Sequence, residues 1–382
     1  MQKLKNMIKN STIVGRLYGG VQLLFIKTLQ LFVRVDDKQI LFMSYSGRQF
    51  SDSPRTAFEL LQSDPAYRDF KFVWAFNEPG EFDHSGITKK VSANSLSYFY
   101  HLLRSKYWVS NASIERLTPF NHPKNTYIQF WHGVPMKHLG PDEAQLSPLV
   151  KNWYKKANFD YLFTYGEYDT ERFEHIFPSA QRYNQVGQLR KYALEQQRAN
   201  FNRAQVMRRL RLNPNKPTLL YAPTFREYEL AEDSLAYLGA GVLEQLAKTY
   251  NVIYRGHYFA ALPTTMPGVT IANDADLNEL FLVSDLLVTD YSSLLFDYAP
   301  EQKPIYLYEA DVAEYKKKRG LYISGEDLGL PVVHSEHELL SALMKAEQLD
   351  TAAVEDLLTH YNPMSAETTV DFIFEIISTD KI

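Results

Sequence analysis

From about residue 39 the chain alternates short apolar runs with longer amphipathic ones, in two separate series. The first reads as strands over Gln39–Ser44, Lys71–Phe76, Tyr107–Ser110, Tyr127–Trp131 and Tyr161–Thr164, with helical stretches such as Arg55–Leu61 and Ser95–Leu103 between them. The second reads as strands over Thr218–Ala222, Asn251–Arg255, Leu286–Thr289 and Pro304–Leu307. Strand and helix in alternation predict parallel sheets built from βαβ units, and two series predict two doubly wound α/β domains. A length of 382 residues accommodates both, and 45% apolar residues suffice for a sizeable core.

The domain boundary is expected in Glu195–Asn215, a charged, helix-prone stretch closed by Asn213-Pro214-Asn215-Lys216-Pro217. This sets domains at residues 36–205 and 206–365. Residues 366–382 follow as a helix with apolar residues near helical spacing, able to cross back to the first domain. Residues 1–35 stand apart. Before Asp36 there is no acidic residue, while Lys3, Lys5, Lys9, Arg16, Lys27 and Arg34 are basic and large apolar residues lie between them. The longest uncharged stretch, Leu17 to Ile26, is too short to span a bilayer. Two readings fit: an amphipathic segment lying on an anionic leaflet, or a helix packed on the domain with solvated lysines.

There is no cysteine, so disulfides, thiolate metal sites and a cysteine nucleophile are excluded. A net charge of -4 gives no sign of bulk nucleic-acid binding. Neither Gly-x-x-x-x-Gly-Lys-Ser/Thr, Gly-x-Gly-x-x-Gly nor Gly-x-Ser-x-Gly occurs. No Asp-x-Asp pair of the sort that holds a catalytic divalent ion is read from the chain.

Six segments could carry chemistry. In Ser284–Asp297 a buried-strand run ends at Thr289-Asp290-Tyr291-Ser292-Ser293 and a helix-compatible segment follows. Hydroxyls and free backbone N–H groups gathered there suit a phosphate, although a plain N-cap at Ser292 or Ser293 fits as well. In Gln129–Lys137, His132 stands at a strand end before Gly133, which permits a sharp turn or a close ligand approach. It is a candidate general base, or a histidine bonded to its loop. Arg255 and His257 leave a strand end together, as do Thr224 and Arg226 after Pro223. Guanidinium, imidazole and hydroxyl are the groups that hold a phosphorylated donor. Arg226 could equally pair with Glu227 or Glu229. Arg190, after Gly187, is a weaker candidate, and Lys316-Lys317-Lys318-Arg319 reads as a solvated face that could also touch phosphate or membrane.

At these residues the sequence resembles the CDP-glycerol glycerophosphotransferase family of teichoic acid synthesis. The matching segments are Ser46–Arg55, Trp131–Lys137, Tyr221–Arg226, Arg255–His257, Ser284–Ser293, Phe296–Tyr298 and Lys303-Pro304, with Glu314-Tyr315 and Arg319–Tyr322 beyond them. Val134 stands where Thr is common, and Gly187–Tyr192 keeps the family's Gly and Arg but loses its Pro, Asn and Asp. The resemblance implies two Rossmann-like domains facing a cleft, of glycosyltransferase B type, the second holding the nucleotide. It implies transfer of a polyol phosphate from CDP-glycerol or CDP-ribitol to a hydroxyl of an undecaprenyl-linked saccharide, with release of CMP, at the cytoplasmic face of the cell membrane. His132 and His257 match the family's two essential histidines. Arg226, Thr224, Arg255, Thr289, Asp290, Ser292 and Ser293 fall on the donor and phosphate side, with Gly133, Lys137 and Arg190 also near the cleft. No metal or cofactor is expected, because Arg and hydroxyls can neutralise the charge. The alternatives are a glycosyltransferase of the same fold using a nucleotide sugar, and a non-catalytic membrane-bound scaffold.

Overall fold

A parallel strand buried on both faces is written as a continuous apolar run rather than an alternating one. The computed structural model describes residues 11–84, 86–226, 228, 237–256, 267–344 and 351–378. Thirteen strands occur among them: β1 (Asp36–Met43), β2 (Lys71–Phe76), β3 (Lys89–Ser92), β4 (Ser105–Ser110), β5 (Thr126–Gln129), β6 (Tyr161–Thr164), β7 (Tyr183–Gln185), β8 (Thr218–Tyr221), β9 (Asn251–Tyr254), β10 (Val269–Ile271), β11 (Leu286–Thr289), β12 (Ile305–Tyr308) and β13 (Val332–Val333). They form two sheets, ordered β3-β2-β1-β4-β5-β6-β7 and β10-β9-β8-β11-β12-β13. Every pairing is parallel, for example Leu41 opposite Trp108 and Leu287 opposite both Leu220 and Ile305. All four residues are buried in each of β8, β9, β11 and β12. The α/β class with two parallel sheets is as the sequence predicts.

Four strands went unread: β3, β7, β10 and β13, the outermost strand at each edge of the two sheets. They have two to four residues and are largely half-exposed, so they carry no apolar run to detect. Strand β5 ends at Gln129 rather than Trp131 because Trp131 turns to φ 58°, where strand pairing cannot continue.

Two units divide the chain. One gathers Met1–His132, Leu139–Arg190 and Pro363–Ile382, and the other Gly133–His138 and Lys191–Asn362. The division at 190/191 lies ahead of the 205/206 position read from composition, and falls inside the helix Leu189–Ala199. In the first unit, Phe42 stacks on Trp74 at 5.4 Å and Trp74 on Phe76 at 5.5 Å. The helix Glu367–Ile376 belongs to this unit: Phe372 meets Tyr161 edge-on at 5.8 Å, and the Tyr67 hydroxyl donates to the Ile377 carbonyl at 2.7 Å. Gly187 receives that segment. A side chain there would place its Cβ 1.9 Å from the Ser365 carbonyl oxygen.

The helix Thr12–Gln30 is capped by Ser11. Gln22 and Ile26 are buried against the first unit, and Gln22 donates to the Glu115 carbonyl. Ile13, Leu17, Val21, Leu24 and Leu31 recur at helical spacing on another face and are 63–81% exposed. Lys3, Lys5 and Lys9 lie outside the described residues. No helix among the described residues is long and apolar enough to cross a membrane.

Candidate active site

The first unit concentrates its polar groups at the carboxyl ends of β1, β4 and β5, which are neighbours in the sheet. The strand order reverses between β1 and β4, the place where open α/β sheets bind ligands. From β5, the left-handed turn at Trp131 throws His132 out of the strand, and the two rings stack at 4.3 Å. His132 Nδ1 lies 2.8 Å from the main-chain carbonyl of Asn111, just beyond β4. A carbonyl only accepts, so Nδ1 carries the proton and the imidazole lone pair is on Nε2.

Asn111 also works through its side chain. Its Oδ1 accepts from the Tyr45 N–H at 2.8 Å, on the loop after β1. The Tyr45 ring leans on His132 at 5.6 Å, and its hydroxyl donates to Asp52 Oδ2 at 2.6 Å. Arg190 Nη1 reaches the Asp52 carboxylate at 3.3 Å, and both side chains are nearly buried. Burial alone would raise the Asp52 pKa, but the Arg190 charge and the Tyr45 hydrogen bond outweigh it and hold the carboxyl below its ordinary range. Of eight described non-glycine residues with positive φ, three belong to this network: Tyr45, Asp52 and Trp131. Such backbone costs of order 1–3 kcal/mol each and concentrates at working sites.

The second unit has a different centre, where β8 and β11 adjoin at its own reversal of strand order. Arg226 is turned into the unit rather than toward its surface. Its guanidinium is buried and donates twice to Asp311, at 2.8 and 2.9 Å, and to Asp290 at 2.9 Å and the Thr224 carbonyl at 2.6 Å. The rings of Tyr237, Tyr291 and Tyr315 surround it at 5.0–5.5 Å. Burial opposes its charge, yet Asp290 and Asp311 raise its pKa further. Arg226 is a post tying the loops after β8, β11 and β12 together.

Asp290 is spent in the same way. Its Oδ1 accepts from the Thr224 and Tyr291 N–H groups, both at 2.8 Å. Thr289 is buried and donates to the Ala222 carbonyl at 2.7 Å. These two shape the turn. The Thr224 hydroxyl is buried without a hydrogen-bond partner among the described residues. Ser292 and Ser293 are half-buried. Ser292 Oγ accepts weakly from the Leu294 N–H at 3.3 Å, and Ser293 makes no side-chain cap to the helix Leu294–Tyr298. Arg255, half-buried, donates to the Ala275 carbonyl at 2.7 Å and the Ala272 carbonyl at 3.3 Å. His257 lies outside the described residues.

Gly133 has φ 146°, and Lys137 bridges to Leu321. Asp274-Ala275-Asp276 does have the Asp-x-Asp spacing, contrary to the sequence reading. Asp276 is the N-cap of the helix Leu277–Val283 and accepts from the Glu279 N–H at 3.2 Å. No group of three or more His, Asp or Glu side chains among the described residues could hold a metal ion.

Sequence reasoning passed over Asn111, Tyr45 and Asp311, and took Asp52 only as part of a motif. The available signal was position: Ser110-Asn111 ends an apolar run as Gln129–His132 does.

The family model described as CDP-glycerol:poly(glycerophosphate) glycerophosphotransferase matches residues 25–368. The teichoic acid poly(glycerol phosphate) polymerase of Bacillus spizizenii is 30% identical over 368 residues, covering 90% of this chain and 91% of that protein. The protein of the same name from Staphylococcus epidermidis is 30% identical over 86% of this chain, which spans only 48% of its length. The solved structure of the wall teichoic acid polymerase TagF matches with a TM-score of 0.79 at 26% identity, covering 96% of this chain and 99% of that one. The chain therefore belongs to the CDP-glycerol:poly(glycerophosphate) glycerophosphotransferase family and is a transferase.

Proposed function

We propose that this enzyme transfers glycerol phosphate from CDP-glycerol to a hydroxyl of a membrane lipid-linked saccharide and releases CMP, in teichoic acid synthesis. CDP-ribitol is the alternative donor. The observation that carries the reading is His132, pinned through Nδ1 to Asn111 at 2.8 Å at the carboxyl end of a parallel sheet, so that the imidazole lone pair is on Nε2. Nε2 takes the proton of the acceptor hydroxyl as the oxygen attacks the β-phosphorus. The bond from that phosphorus to the bridging oxygen breaks, and CMP leaves with the electron pair. The two α/β units serve as the acceptor-side and donor-side domains of a glycosyltransferase B type enzyme. On the donor side, Ser292, Ser293 and Thr224 supply hydroxyls to phosphate oxygens, and Arg255 with His257 stabilises the pyrophosphate and departing CMP. Arg226, Asp290 and Thr289 hold the turn that presents them.

A lipid-linked acceptor stays in the bilayer, so the enzyme comes to it. The exposed apolar stripe of Thr12–Gln30, flanked by Arg16 and Lys27, suits a segment lying in the interface of an anionic leaflet on the cytoplasmic side.

Purified protein incubated with a lipid-linked acceptor and, separately, CDP-glycerol, CDP-ribitol and UDP-sugars tests the reaction. CMP release with CDP-glycerol is expected, falling roughly 10²–10⁴-fold in His132→Ala. Release of UDP instead, or near-normal transfer by folded His132→Ala, defeats the proposal.

A further inference from the structure

We infer that Asp52, held between Tyr45 and Arg190, is a positioning residue for His132: its carboxylate stabilises the imidazolium formed when His132 takes a proton, and Arg190 sets how strongly it does so. The inference rests on reading His132 as the base, and it concerns groups that reading does not use.

The geometry begins with what holds the imidazole. The Asn111 carbonyl fixes its Nδ1 end, but a neutral carbonyl supplies only part of what an imidazolium needs. The nearest fixed negative charge in the network is Asp52, one hydrogen bond behind Tyr45, whose ring lies against His132. Asp52 is buried, and the electrostatic pull between it and His132 counts among the influences on its ionisation. In a buried setting such an attraction is screened much less than at the surface.

Arg190 is the counterweight. It faces the same carboxylate from the start of the helix Leu189–Ala199, and its positive charge offsets part of the field Asp52 sends to His132. Arg48, on the loop after β1, is exposed and donates to the Tyr45 carbonyl at 2.9 Å, so its charge is largely screened. Tyr45 is a further titratable group against the imidazole, and its hydroxyl donates to Asp52. Placing Asp52 here requires left-handed backbone at an aspartate, φ 63°, and at Tyr45, φ 46°. A carboxylate wanted only for stability has no need of that strain.

The signs follow. Removing the negative charge makes the imidazolium harder to form, and removing the positive one makes it easier. The test is an NMR titration of the His132 ring signals, identified by their loss in His132→Gln, in wild type, Asp52→Asn and Arg190→Gln, alongside the pH profile of kcat/KM. The His132 midpoint should move down by roughly 0.5–1 pH unit in Asp52→Asn and up in Arg190→Gln. The acid limb of kcat/KM should follow in the same directions, and plateau kcat in Asp52→Asn should fall about tenfold, within what a general base contributes. Opposite shifts cannot arise from general loosening of the fold, so a destabilised Asp52→Asn still leaves Arg190→Gln decisive. An unmoved midpoint in folded variants overturns the inference. A moved midpoint with an unmoved kcat/KM profile upholds the Asp52 coupling and instead overturns His132 as the base.

Discussion

At the scale of single residues, two arginines that looked alike in the sequence are shown to do different work. Both follow short apolar runs, Arg226 as a candidate for binding phosphate and Arg190 as a weaker candidate near the cleft. Arg226 is enclosed by two carboxylates and three tyrosines, and its donors are turned inward. Removing one partner of a buried ion pair leaves an uncompensated charge, which costs about 3–5 kcal/mol. Arg226→Ala should lose stability on that scale in urea unfolding, because Asp290 and Asp311 would be left facing each other. A loss under about 1 kcal/mol, the size of a surface pair, would mean the guanidinium is not the post described. Arg190 instead balances one carboxylate near the imidazole, and its removal should be read in titration rather than in melting.

At the scale of elements, the last helix depends on a residue 181 positions before it. The Gly187 N–H donates to the Thr368 hydroxyl at 2.8 Å, and the Thr369 hydroxyl donates to the Gly187 carbonyl. The backbones approach so closely that a Cβ at 187 would meet Ser365 O at 1.9 Å. Gly187→Ala should therefore lift the segment 363–378, at a cost of roughly 1–3 kcal/mol, as overpacking does. Hydrogen exchange resolved by peptide should show faster exchange confined to that segment. Unchanged protection there would show that the close approach is not maintained in solution. The short Leu294–Tyr298 helix makes the complementary point. Its two serines sit at its start as the sequence suggests, yet the turn is built by Asp290 and Thr289 behind them.

At the scale of the whole molecule, the helix Thr12–Gln30 carries a stripe of apolar residues that the fold does not bury. One face is satisfied by the first unit through Gln22 and Ile26, while Ile13, Leu17, Val21, Leu24 and Leu31 remain outside. Each fully buried leucine is worth about 1.5–3 kcal/mol, and each cation near an anionic surface roughly 1 kcal/mol. Leu17→Glu with Leu24→Glu should reduce sedimentation with anionic liposomes by tenfold or more, while activity on a soluble acceptor analogue stays near wild type. Full sedimentation of that variant would place membrane contact elsewhere, with Lys316–Arg319 the next surface to change.

The sequence by itself determined the class of fold and the position of most strands, because a strand buried on both faces must be written as an apolar run. It also marked His132, Gly133 and the Thr289–Ser293 turn, since polar residues ending such a run fall at the carboxyl edge of a parallel sheet. It did not reveal the edge strands, which are short and half-exposed and so carry no apolar run. Nor did it show what each polar residue faces. Asn111 reaches His132 only because β4 and β5 are neighbours, and Asp52 meets Arg190 across 138 residues of chain. Arg226 meets Asp311 across 85. Whether a guanidinium greets a ligand or a carboxylate is settled by which strand ends the sheet order brings together. That order is a property of tertiary pairing, which no local pattern encodes.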